Sequence, residues 1–256
     1  MKVFKNLKEF NDFFNKIRTN WIENKIEYKV FSGYEENKIL IVAPHAFQGR
    51  CFVNISGKMK KIKVGETNIH ILTKIASYNI NGAFIISYVP RTEADFARKP
   101  ELLGKGLKLN FLVNGKRHPI DIHKNTKYFY LLEKFHKMIE DLNPKFILSF
   151  HGTEIPNFDA LLGFGKNKKY IKGKENAFRF RKNVLKKLKK LDIQDLKIKI
   201  SKIYRGISEA VLNMHVKDNR MGILVEFNKT GRLPFPSLKY QKMAICIAET
   251  AAECVL

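Results

Sequence analysis

Three polar residues stand where apolar runs end or are interrupted. His45 follows Ile39-Leu-Ile-Val-Ala43 and Pro44, His151 follows Phe146-Ile-Leu-Ser-Phe150, and Glu226 lies inside Ile223-Leu-Val-Glu-Phe227. Imidazole and carboxylate are zinc ligands, and a catalytic zinc keeps one position open for water. Two strand-end histidines and a carboxylate therefore have the composition of a mononuclear zinc hydrolase site. A lone strand-end histidine is ordinarily a hydrogen-bonding loop residue, so the joint placement carries the argument. Glu226 adds a constraint of its own, because a carboxylate between Val225 and Phe227 must be paired, protonated or turned to a cleft. Strand periodicity puts Val225 and Phe227 on one face and Leu224, Glu226 and Asn228 on the other. Among the remaining histidines, His70, His118, His123 and His136 do not follow strands in this way.

These positions matter because, in open α/β sheets, the ligand crevice lies beyond the carboxyl ends of the strands. The runs at 39–43, 83–87, 146–150 and 223–227 are expected to be buried core strands. Leu7, Phe10, Phe13, Phe14 and Ile17 form the stripe of an amphipathic helix. A second helix is predicted over about 127–142, with Leu131, Leu132, Phe135, Met138, Ile139 and Leu142 on one side and Pro144 ending it. A third is predicted over 184–191 and a last one after Pro236, while 197–203 alternates like a half-exposed strand. The alternation of strands and helices predicts an α/β fold: a mixed, largely parallel central sheet with helices on both faces. No repeat, linker or composition shift divides the chain, so 1–256 is expected to be one domain. Its excursion at about 103–123 holds an Asn114-Gly115 hairpin signal.

The chain carries 48 Lys+Arg against 24 Asp+Glu, a formal net charge of +24, and its field attracts polyanions or small acidic molecules. Residues 166–190 hold twelve basic side chains and one acid, Glu175, with Tyr170, Phe178 and Phe180 between them. Lys168, Lys169, Arg179 and Arg181 are the candidate nucleic-acid patch, where aromatic faces stand among phosphate-binding charges. A solvated helix face with buried aromatics would produce the same pattern. No stretch reaches the ~18 consecutive apolar residues of a membrane span. The charged N-terminus has no signal-peptide apolar block, which predicts a cytoplasmic protein with no membrane partner. Cys51, Cys246 and Cys254 fit no metal spacing or disulfide framework and are expected to be buried thiols. The oligomeric state is not encoded in any pattern found.

Five short motifs, in order over roughly residues 39–235, resemble the N-formylglutamate amidohydrolases, zinc-dependent amide hydrolases related in fold to the metallocarboxypeptidases. Pro44-His45-Ala46 is similar to that family's strand-closing Pro-His-Ser/Ala-Gly, and Thr67-Asn68-Ile69-His70 to its Thr-Asp-Trp before a helix. Pro90-Arg91-Thr-Glu-Ala-Asp95-Phe96-Ala97-Arg98-Lys-Pro100 is similar to its Ser-Arg…Asp-Leu-Asn-Arg segment. Ser149-Phe150-His151-Gly152, followed by Asp159 and Leu162-Gly163, resembles its Asp-x-His-Ser, and Leu224-Val225-Glu226 its glutamate strand.

The resemblance implies a phosphorylase/hydrolase-like, metallocarboxypeptidase-like fold and one Zn²⁺ per chain. It further implies cleavage of an N-acyl amino acid or related small acidic amide. His45 and His151 would be metal ligands and Glu226 the general base and acid. Asn68 stands where the family has an aspartate ligand, and Glu66, the nearest carboxylate, is taken as the third ligand. Arg91 and Arg98, with Asp95 and Asn228, form the expected substrate-binding set. Gln48 replaces the glutamate of the carboxypeptidases' His-x-x-Glu, and Ala97 an asparagine beside the substrate arginine. The alternatives are a nucleic-acid-binding protein on an inactive hydrolase fold, or a deacylase acting on an RNA-linked substrate.

Overall fold

The computed structural model describes residues 1–55, 58–63, 65–99, 108–113, 116–121, 128–201, 209–217 and 219–255. Strands form at β1 (Asn20–Ile22), β2 (Ile26–Val30), β3 (Ile39–Ala43), β4 (Arg50–Ile55), β5 (Lys58–Lys63) and β6 (Ala83–Ser87). They continue with β7 (Lys108–Val113), β8 (Lys116–Asp121), β9 (Phe146–Thr153), β10 (Ala160–Gly163), β11 (Ile198–Ile200) and β12 (Met221–Asn228). Eight of them make one sheet in the order β1-β2-β6-β3-β9-β12-β10-β11. The middle strands β6, β3, β9 and β12 run parallel, whereas β1, β2 and β10 join antiparallel. The four apolar runs are those parallel strands. Being covered on both faces, they are apolar at nearly every position and lack alternation, the polar exceptions such as Ser149, His151 and Glu226 falling toward their carboxyl ends.

The helices are α1 (Leu7–Phe14), α2 (Tyr34–Asn37), α3 (Ile69–Asn79), α4 (Phe129–Leu142), α5 (Lys174–Lys190), α6 (Ala210–His215) and α7 (Leu238–Glu253). α3, α5 and α7 cover one face, where Leu72, Phe180, Val184 and Ala248 pack with Ile39, Ile41, Phe146, Leu148 and Val225. α4 and α6 cover the other, where Leu132, Phe135, Ile139 and Val211 meet Leu40, Val42, Ile147 and Leu224. α1 lies outside this sandwich, its Phe10 and Phe14 packed with Ile71, Ile75 and Ile245. Helices on both faces of a mixed sheet are the arrangement the sequence predicts.

The differences have physical causes. α5 starts at Lys174 rather than near residue 184, because Ala177 and Phe180 extend the buried stripe of Val184 and Leu188 back by two turns. The strand expected over 197–203 is confined to Ile198–Ile200 among the described residues. β7 and β8 pair antiparallel with Val113 opposite Lys116, as a hairpin requires, and the Asn114-Gly115 signal itself lies outside the described residues. The β4–β5 hairpin follows from no apolar alternation and was not expected. Cys246 is buried but Cys254 is exposed beyond the last turn of α7, contrary to expectation; the Cys51 side chain lies outside the description. Among the described residues, no helix is long and apolar enough to cross a membrane.

Candidate metal centre and active site

The parallel strands β3, β9 and β12 deliver their carboxyl ends to one edge of the sheet. Register places Val42 beside Ser149 and His151 beside Glu226. The histidine after β3 and the one late in β9 therefore emerge together, their ring centroids 5.0 Å apart. The segment after β5 brings a carboxylate to them. The Glu66 N–H donates to the His45 carbonyl at 2.8 Å. Gly65 permits this close passage, since a Cβ there would fall 1.6 Å from the Phe47 carbonyl oxygen.

Glu66 Oε1 lies 3.1 Å from His45 Nδ1 and 3.3 Å from His151 Nδ1, and its Oε2 accepts from the Gly152 N–H at 2.9 Å. Ligand atoms of His45, Glu66 and His151 all lie within 4.8 Å of one another, the only such group among the described residues. Both imidazoles turn Nδ1 to this centre and are held from behind. His45 Nε2 is 2.7 Å from Asp95 Oδ1. His151 Nε2 is 3.1 Å from Ser149 Oγ, which donates to Glu209 Oε1 at 3.1 Å. An acceptor at Nε2 holds a proton there, so a metal at the centre would have to displace only the Nδ1 proton that otherwise faces Glu66. Two imidazoles and a carboxylate so arranged fit a catalytic zinc ion.

The charges support one another. Burial opposes ionisation of Glu66, yet His151 and His45 outweigh it and hold the carboxyl far below the usual range. Burial likewise opposes protonation of His151, but Glu66 and Glu209 push its pKa well up. Asp95 is buried too, and Arg91 and His45 keep it ionised. Glu226 behaves differently. It is 8% exposed and makes no hydrogen bond or ion pair among the described residues. Burial raises its pKa to about 7, with Glu66 adding to the rise and His151 opposing it.

Other expected site residues stand elsewhere. Asp95 is behind His45, not on a substrate surface, and Arg91 donates to its Oδ2 from Nε at 3.3 Å and Nη2 at 3.1 Å. Arg98 Nε lies 3.7 Å from the same oxygen; the two arginine side chains are 27% and 30% exposed. Asn228 does not reach a substrate surface: its amide donates to the Ile155 carbonyl, and its oxygen accepts from Thr230 N–H at 3.0 Å and Oγ1 at 2.9 Å. It builds the turn after β12. Gln48 donates to the Ala46 carbonyl at 2.8 Å, and Asn68 to the carbonyls of Arg232 and Pro234 at 2.7 and 2.8 Å, so neither faces the centre as a ligand.

In the basic segment, Tyr170 and Phe180 are buried, leaving Phe178 as the exposed aromatic. Lys169 and Arg179 are exposed, whereas Lys168 and Arg181 are half-buried and Arg181 Nε donates to the Ile198 carbonyl at 2.7 Å.

Sequence reasoning missed Ser149, Gly152, Glu209 and Arg232. Ser149 had a signal, since it shares a strand face with His151 two residues on. Glu209 and Arg232 had none. Arg232 is buried against Gly152, with Nε donating to the Phe227 carbonyl at 3.1 Å and Nη1 to the Thr67 carbonyl. It lines a cleft of about 110 Å³ with Glu66, Gly152 and Lys229.

No protein-family model matches the sequence, and no curated protein does. Solved structures do. An N-formylglutamate amidohydrolase from Ralstonia eutropha superposes with a TM-score of 0.57 at 12% identity, covering 90% of this chain and 98% of that one. A gene product of Agrobacterium tumefaciens gives 0.56 at 10% identity, covering 90% and 94%. A metallo-carboxypeptidase from Burkholderia cenocepacia gives 0.50 at 10% identity, covering 96% of this chain and 66% of that one. The chain thus has the fold of the N-formylglutamate amidohydrolases and metallocarboxypeptidases, the fold that the five motifs imply.

Proposed function

We propose that this protein is a zinc-dependent amide hydrolase acting on an N-acyl amino acid or a related small acidic amide. The observation that carries the reading is the convergence of His45, Glu66 and His151, each imidazole backed at Nε2, beside a buried Glu226 that makes no hydrogen bond or ion pair among the described residues. The fold neighbour named as an N-formylglutamate amidohydrolase supports the same reaction class. Zinc held by the three residues would supply Lewis acidity toward an amide carbonyl and lower the pKa of a water.

The chain's own groups then have separate tasks. Glu226, with a pKa of about 7, accepts the proton of the attacking water and passes it to the leaving amine nitrogen. Asp95, Ser149 and Glu209 keep the imidazoles in the ligating tautomer. Arg98, its side chain 30% exposed, offers a guanidinium to a substrate carboxylate, with Arg91, whose Nε and Nη2 hold Asp95, assisting as a charge.

Metal analysis joined to one variant tests this. Purified protein should hold about one zinc per chain, lost in His45→Ala and His151→Ala. Glu226→Gln should keep the zinc and lose about two to four orders of magnitude in kcat on an N-acyl amino acid. Zinc-loaded protein that hydrolyses no member of an N-formyl and N-acetyl amino acid panel would sink the substrate assignment. Full activity in Glu226→Gln would sink the mechanism.

A further inference from the structure

A second cavity lies elsewhere. It has a volume of about 750 Å³, within the range of ligand-binding clefts, and lies where the outer strand β11 meets the amino end of α5. It shares no lining residue with the metal centre. Lys168, Lys174, Arg181 and Lys199 line it, no acidic residue does among the described residues, and Phe178 presents a ring that is 53% exposed. An exposed phenylalanine in a ring of cations lacks the explanation that serves Tyr170 and Phe180, which are buried in the cores. Arg181 is not a loose surface charge, because its Nε is fixed on the Ile198 carbonyl at 2.7 Å.

Lys182 and Lys186 are also exposed further along α5, so basic side chains extend past the four that line the cavity, more than a single small anion could cover. Cations that follow a backbone, with an aromatic face among them, are the recognition chemistry of single strands. A duplex offers phosphates but no free base faces.

We propose that this groove binds single-stranded nucleic acid. Phosphates would lie on Lys168, Lys174, Arg181 and Lys199, and a base would stack on Phe178. The site is independent of the hydrolytic reading and does not need the metal.

Fluorescence anisotropy with a labelled 12-residue oligouridylate tests it. Four phosphate contacts give a slope of about −2.8 for log K against log salt, at roughly 0.7 per contact. Lys174→Glu with Lys199→Glu should weaken binding and flatten that slope by about 1.4. Phe178→Ala should weaken binding about 5- to 100-fold, with an unchanged circular dichroism spectrum because the ring is exposed. Lys8→Glu with Lys16→Glu, exposed charges near α1, should leave the groove's salt slope intact. Metal chelation should change nothing.

Four results would overturn the proposal. Full affinity in Phe178→Ala would remove the stacked base. Equal weakening by the α1 pair would reduce binding to net charge. Equal competition by an oligoglutamate would make the partner an acidic peptide. UTP binding as tightly as the 12-mer would make the groove a mononucleotide site.

Discussion

At the scale of single residues, the centre separates two kinds of carboxylate. Glu66 and Asp95 are ionised because histidines and arginines face them, whereas Glu226 is buried beside them with no hydrogen bond or ion pair among the described residues. Its raised pKa has a consequence for stability. The folded state holds the Glu226 proton between an ordinary value near 4.5 and about 7, so this group favours folding below 4.5 and loses that contribution as pH rises through 7. In zinc-stripped protein, Glu226→Gln should therefore raise the melting temperature at pH 8 and leave it nearly unchanged at pH 4. Equal melting at both pH values would mean that Glu226 is not held in an apolar environment. Arg98→Lys should raise KM for a carboxylate substrate while sparing zinc content, since a lysine cannot supply the fork. An unchanged KM would leave Arg98 as a screen for Asp95. His45, His151 and Glu226 stood out in the sequence through their joint placement at the ends of, or within, apolar strands, since a lone strand-end histidine is ordinarily a loop residue. Glu209 was not, since it reaches His151 through Ser149, sixty residues away in sequence.

At the scale of elements, the strands were readable where burial on both faces left no polar position, and β3 and β6 match their apolar runs end to end. α5 was only half readable, because lysines and arginines between its buried positions diluted the stripe in sequence although not in space. Loops were the least readable part, yet they complete the site. Gly65 and Gly152 let backbone approach where side chains would collide. An alanine at 152 would place its Cβ 2.5 Å from Arg232 Nη2. That guanidinium cannot swing aside freely, because the Phe227 and Thr67 carbonyls hold it. Gly152→Ala should thus cost about 1–3 kcal/mol in stability, the range for an overpacked site. It should also weaken zinc retention, since the Gly152 N–H orients Glu66. A variant with wild-type melting and zinc content would mean that Arg232 is free to move.

At the scale of the molecule, a chain of net charge +24 gathers Glu66, Asp95, Glu209 and Glu226 at one edge of its sheet. Acidic residues number only 24 in the whole sequence; here Arg91 and Arg98 balance Asp95, while Glu66 lies between the two histidines and is the carboxylate left for a cation. Four basic side chains, Lys168, Lys174, Arg181 and Lys199, gather on the other feature, the groove beside α5. The sequence made the imbalance visible but could not apportion it, because only folding separates the two surfaces. The acidic edge also joins distant parts of the chain: His45 follows β3, Glu66 precedes α3 and His151 lies on β9. An ion held by all three would bind the folded state and not the unfolded one. At free zinc near one hundred times its dissociation constant, mass action adds about 2.7 kcal/mol. For a chain of this size that corresponds to a rise of roughly 5–10 °C in Tm. Differential scanning calorimetry of stripped and zinc-reloaded protein should give that rise, with none in His45→Ala or His151→Ala and an undiminished one in Phe178→Ala. Reloading that leaves Tm unchanged in the wild type would mean that the three residues do not close around a metal, and the acidic edge would then need another cation to explain it.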